Sequence, residues 1–160
     1  MELRELYQEI ILDHGKNPRN KGQCNEFNRD AKGHNPLCGD KIHVFLKVDE
    51  QKKVEDISFT GEGCAISLAS ASILTETIKG KDFNIVNIIV KDFLDMIRNE
   101  VKISLNSLSE DQKTTIMSLS GVKKYPMRVK CATMAWHTVT AALNGDKKNG
   151  WFEKKNNWWN

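Results

Sequence analysis

The chain has no long run of apolar residues. Its nearest approach, Ile85 to Val90, is interrupted by Asn87, and nothing comes near the roughly 20 residues needed to cross a bilayer as a helix. It also lacks the apolar block of a signal peptide, since the first residues are charged and fall into an amphipathic pattern. Neither sign of charge dominates. The 24 Lys and Arg against 21 Asp and Glu leave a net +3, which excludes nucleic-acid binding by bulk electrostatics and leaves room only for a local basic face. Cysteine is scarce, with 4 in 160 residues, too few for a disulfide scaffold. No internal repeat is visible. A hydrophobic fraction of 39% supports one modest core and excludes a wholly disordered chain. These absences predict one soluble cytoplasmic domain with free thiols and neither a membrane nor a nucleic acid as partner.

Periodicity then divides the chain. Leu3, Leu6, Tyr7, Ile10 and Ile11 recur at helical spacing, predicting a helix over 2–13, stopped by Gly15 and Pro18. Residues 15–36 read mostly as loop, with a short strand near Phe27. Ile42, Val44, Leu46 and Val48 alternate as a strand, Asp49 to Lys53 reads as a hairpin turn, and Val54, Ile57 and Phe59 form a second strand whose alternation breaks at Asp56. From Cys64 the period becomes helical: Leu68, Ala71, Leu74 and Ile78 mark one face, ending at Gly80. A further helix is expected over 82–98. Ser109 starts a short helix with Ile116 and Leu119 inward. Pro126 opens a last helix with Ala132, Trp136, Val139 and Leu143 as its buried stripe. The order of helix, sheet, then helices gives an α+β domain over 1–145, followed by a polar tail, 146–160, carrying Trp151, Trp158 and Trp159.

Three cysteines fall at junctions between elements. Cys38 lies in the turn Asn35-Pro36-Leu37-Cys38-Gly39-Asp40, Cys64 at a strand-to-helix junction after Gly61-Glu62-Gly63, and Cys131 near the start of the last helix. Glycines allow sharp bends that let short side chains converge. A helix N-terminus favours a thiolate, and Arg128, one helical turn before Cys131, would favour it further. With Asp40 these residues make a three-thiolate, one-carboxylate set suited to tetrahedral Zn²⁺. Spacing alone leaves a second reading open, since there is no C-x-x-C pair. Cys64 and Cys131 could be small buried hydrophobes and Cys-Gly-Asp an ordinary turn.

Four motifs together carry a resemblance. Leu12-Asp13-His14 with Asn17-Pro18-Arg19-Asn20, then Asn35 to Asp40, then Gly61 to Ser67, then Arg128-Val129-Lys130-Cys131-Ala132 with Trp136, resemble the SufU branch of the U-type iron–sulfur assembly proteins, relatives of IscU and of the N-terminal domain of NifU. The resemblance runs from about residue 2 to residue 144. It implies an IscU-like (SufE/NifU-like) α+β fold, with a small antiparallel sheet and helices packed on one side. IscU-type scaffolds carry a histidine just before the third cysteine, where this chain has Lys130. The long stretch 80–125 and Arg128 match the SufU branch. The resemblance implies Cys38, Asp40, Cys64 and Cys131 as zinc ligands and Cys38 as the acceptor of persulfide sulfur from a SufS-type cysteine desulfurase, for delivery to the SUF machinery. On that expectation the protein is a sulfurtransferase, Cys38 leaves the metal when the partner docks, and Arg128 stabilises the released thiolate or persulfide. Two alternatives remain: a scaffold assembling a [2Fe–2S] cluster on the same four residues, and a zinc-stabilised adaptor without covalent chemistry.

Other candidates read blandly. Cys24 is an incidental thiol and His34 a solvated loop residue. His43 has a surface or packing role, His137 points about 120° away from Cys131 on an ideal helix, and His14 meets free carbonyls at a helix end. Lys123, Lys124, Arg128 and Lys130 form a basic cluster, read either as a solvated face or as a dock for an acidic rim.

Overall fold

The alternating strand, Ile42 to Val48, lies at the centre of an antiparallel sheet. The computed structural model describes residues 2–99 and 107–145, with the backbone of 151–152. In chain order it has α1 (Leu3–Lys16), β1 (Arg29–Asn35), β2 (Asp40–Val48), β3 (Val54–Glu62), α2 (Ala65–Ile78), α3 (Phe83–Asn99), α4 (Glu110–Met117), a 3-10 segment (Ser118–Lys124), α5 (Pro126–Leu143) and a two-residue β4 (Trp151–Phe152). β1, β2 and β3 pair antiparallel, and β4 joins β1 in parallel at Lys32 and Gly33. The fold is α+β, as expected. Apart from the backbone of Trp151 and Phe152, the expected tail falls outside the described residues. Among the described residues no helix is long and apolar enough to cross a membrane.

Helices cover one sheet face: α5 packs on β1 and β2, and α2 on β3. Ile42, Val44 and Leu46 of β2 meet Ile57 and Phe59 of β3 beneath them, all buried. The broken alternation at Asp56 has a structural cause. The register slips between Lys47 and Val48, and a bulge lets Val54 face the core along with Ile57. Trp136 stacks on Phe93 with ring centroids 3.9 Å apart and planes within 7°, and its Nε1 donates to Ser70 Oγ at 2.9 Å, so the ring is buried with its polar atom satisfied. Ser109 makes the expected capping box with Gln112.

Several expectations are corrected. Residues 29–35 form a strand, not loop, so His34 is a strand residue. β1 lacks an apolar alternation because its inward positions are Ala31, Gly33 and Asn35, kept small by the approach of α5: a Cβ on Gly33 would strike the Thr138 hydroxyl. Gly15 does not end α1, which continues to Lys16; a Cβ there would lie 3.2 Å from Ala65 O, so this glycine allows α1 to approach the start of α2. His14 does not cap carbonyls. It is the one buried residue of α1, and its Nδ1 lies 2.7 Å from Ser72 Oγ. Leu3, expected on the buried face, is 60% exposed. α2 is buried on nearly every side rather than along one stripe, because it lies between α1 and α5.

His137 accepts from Arg98 at 3.2 Å through Nε2. Burial pushes its imidazole down to about 4, with the Arg98 charge adding to the effect. Above the ordinary value of 6.5 this group leaves stability unchanged. Below it the unfolded chain takes up a proton that the native state refuses, so stability falls until the pH reaches about 4. The loss should approach roughly 3 kcal/mol. His137→Gln should remove that share of the acid sensitivity, as measured by denaturant unfolding at neutral pH and near pH 4.

Candidate metal centre

The β1–β2 hairpin presents Cys38. Its turn spans Pro36 to Gly39, between the paired residues Asn35 and Asp40. Asn35 holds the turn from both ends of its own structure. Its main-chain oxygen accepts from the amides of Cys38 (3.3 Å) and Gly39 (2.9 Å), and its Oδ1 accepts from Leu37 N at 3.2 Å. Gly39 has φ +73°, the left-handed conformation that glycine adopts at no steric cost. Cys38 is thus half-buried on a tight turn.

Asp40 opens β2 and is fully buried. Its Oδ1 accepts from Cys64 N at 2.9 Å. The absence of a side chain at Gly63 permits this, since a Cβ there would lie 2.5 Å from the same oxygen. Cys64 is the N-cap of α2, and its sulfur accepts from Ser67 N at 3.4 Å. Cys131, in the second turn of α5, is fully buried.

These segments converge. Cys131 Sγ lies 3.5 Å from Cys38 Sγ, and the ligand atoms of Cys38, Asp40 and Cys131 all fall within 4.8 Å of one another. Cys64 adjoins that trio through Asp40, its sulfur 4.0 Å from Oδ2. Arg128 Nη1 sits 4.0 Å from Cys131 Sγ at the exposed rim. None of the four histidines belongs to the group. His43 pairs with Asp30 at 2.6 Å, His34 is half-buried on β1, and His14 and His137 are engaged as described. Cys24 is buried elsewhere, and burial pushes its thiol up.

The electrostatics suit a cation. Cys64 is pushed down to about 6, chiefly because the Cys131 thiol donates to it, with the Ser67 amide helping and burial opposing. Cys131 is pushed up as the donor of that shared hydrogen, and burial adds to the shift. The Cys131 sulfur in turn raises Arg128. A buried carboxylate with one oxygen on an amide and the other facing thiols is costly without a compensating charge. A thiophilic divalent ion satisfies both oxygen and sulfurs, so the residues present fit a metal.

Two features escaped the sequence reading. One is the buried Asn35 amide. The other is a cleft of about 750 Å³ beside the centre, with Leu3, Tyr7 and Ile11 of α1 on one wall, Tyr125 on another, Lys124 and Arg128 at the rim, and no acidic lining residue. The stripe on α1 is thus divided: Leu3, Tyr7 and Ile11 line the cleft, while Ile10 and Ile11 also pack against the core.

Residues 6–132 match the NifU-like N-terminal domain family. The chain belongs to this family. Among NifU-like relatives it is 44% identical over 137 residues to the zinc-dependent sulfurtransferase SufU of Bacillus subtilis (strain 168), covering 86% of this chain and 88% of that one. It is 35% identical over 142 residues to the iron–sulfur cluster assembly scaffold protein IscU of Streptococcus pyogenes serotype M1, covering 89% and 85%. The crystal structure of an iron–sulfur cluster assembly scaffold protein for the SUF system from Fervidobacterium islandicum AW-1 superposes with a TM-score of 0.73 at 31% identity, covering 88% of this chain and 98% of that one. The chain is thus a member of the SufU/IscU-type iron–sulfur cluster assembly family.

Gly63→Ala tests how the centre is built. The new methyl must displace Asp40, so unfolding free energy should drop by about 1–3 kcal/mol and uptake of Co²⁺ should weaken. Denaturant unfolding and an absorbance titration with the ion check both effects.

Proposed function

We propose that this protein is a zinc-dependent sulfurtransferase, which accepts sulfane sulfur on Cys38 from a SufS-type cysteine desulfurase and carries it to the SUF cluster-building machinery. The observation that carries this reading is a pair of sulfurs 3.5 Å apart, one half-buried on a turn and the other sealed in a helix, with a buried carboxylate within reach. The likeness to a protein named a zinc-dependent sulfurtransferase supports it, as does Lys130 in the place where IscU-type scaffolds have histidine. Residues 1–145 would be the working domain and 146–160 an appendage.

Zn²⁺ held by Cys38, Asp40, Cys64 and Cys131 would keep the thiols deprotonated and staple together segments distant in the chain. In the transfer step, the Cys38 thiolate attacks the terminal sulfur of the persulfide on the desulfurase. The S–S bond breaks, the enzyme cysteine leaves as thiolate, and the sulfane sulfur stays on Cys38 as a persulfide. The number of thiolate and persulfide groups is unchanged, so no external oxidant or reductant is needed. Arg128 supplies positive charge beside the incoming persulfide. Together with Lys123, Lys124 and Lys130 it forms a rim suited to an acidic partner surface, and the adjoining cleft extends that rim with apolar area.

The test is desulfurase turnover, followed by sulfide release, with metal content measured on the same samples. Wild-type protein should be colourless, hold zinc stoichiometrically and raise turnover several-fold, and Cys38→Ala should return turnover to the basal rate. Arg128→Ala should keep its zinc and lose stimulation by roughly tenfold, the equivalent of about 1.4 kcal/mol. A reproducible brown cluster that passes to cluster-free target proteins would instead favour the [2Fe–2S] scaffold. Zinc-loaded protein that leaves turnover unchanged would favour the adaptor.

A further inference from the structure

Asn35 has a second task beyond closing the turn. Its side chain is fully buried, where amide groups require partners. Oδ1 takes the Leu37 amide at 3.2 Å, and Nδ2 points at Cys131 Sγ, 3.8 Å away. The Leu37 amide fixes the orientation: turning the side chain over would set nitrogen against the Leu37 N–H, two donors face to face. One side chain therefore ties the Cys38 turn to a sulfur 96 residues further along the chain. Cys38, which shares the turn, receives no such donor from Asn35.

We propose that Asn35 is a positioning residue of the metal centre, directing its amide hydrogen at the Cys131 sulfur so that this sulfur is held in register with the Cys38 turn. The inference rests on the metal-binding reading above. An N–H donor stabilises a metal-bound thiolate and fixes its direction. Aspartate at this position keeps the acceptor for Leu37 N but sets a carboxylate against the sulfur. Serine keeps an acceptor for the turn but is too short to reach the sulfur.

The experiment uses the full chain as wild type, Asn35→Asp and Asn35→Ser. Each is titrated with Co²⁺, whose sulfur-to-cobalt charge-transfer bands report the thiolates directly, and zinc affinity is measured by chelator competition. Asn35→Asp should lose zinc affinity by roughly ten- to hundredfold, the range for residues that support metal ligands. Asn35→Ser should lose less, and both should shift the charge-transfer bands while far-ultraviolet circular dichroism stays as in wild type. Wild-type affinity and unchanged bands in the serine variant would overturn the proposal, even should the aspartate variant fail to fold. Absence of charge-transfer bands in the wild-type protein would be a different failure, sinking the metal-centre reading and this inference with it.

Discussion

A carboxylate shut away from solvent organises this molecule. Asp40 is fully buried and is held by a single backbone amide, that of Cys64. That bond draws the start of β2 against the start of α2, and a glycine at position 63 is the condition for it. A lone buried anion would be expelled or neutralised. The thiols of Cys38, Cys64 and Cys131 gather around it, and with them the carboxylate makes a donor set that fits a divalent cation. At that junction Gly63 makes room for the Asp40 carboxylate, while Gly61 makes room for the backbone of β2.

Much of the architecture was legible from period alone. Ile42 to Val48, the apolar face of α3 and the stripe on α5 each follow one repeat that meets the core, although α5 is buried well beyond its stripe and Phe45 is buried between the alternating residues of β2. β1 was not legible. Its inward residues are selected for closeness to α5 rather than for apolar area, so Ala31, Gly33 and Asn35 leave no alternation. α1 misled in part: Leu3, Tyr7 and Ile11 of its stripe line an open cleft, Ile10 and Ile11 pack against the core, and the polar His14 takes the buried place against Ser72. α2, enclosed on nearly every side, carries serines and threonines that bond its own carbonyls or its neighbours.

The site was legible only in part for a related reason. Spacing along the chain says nothing about convergence when contributions come from a turn, a helix cap and a distant helix. The motif strings pointed to Cys38, Asp40, Cys64 and Cys131 through family resemblance rather than through geometry. Asn35 stayed hidden because an asparagine before proline reads as a turn residue, which it also is. The cleft stayed hidden because an apolar stripe on a helix looks the same whether it meets a core or a partner.

The separation of Cys38 from Cys131, 93 residues in the chain, has a consequence for biogenesis. Domains take shape as they emerge during synthesis, at about 5–20 residues per second. For most of that time Cys38 is already made while the helix bearing Cys131 is still absent. A half-made chain therefore cannot assemble the thiol pair, and its chemistry begins only once the last helix has left the ribosome.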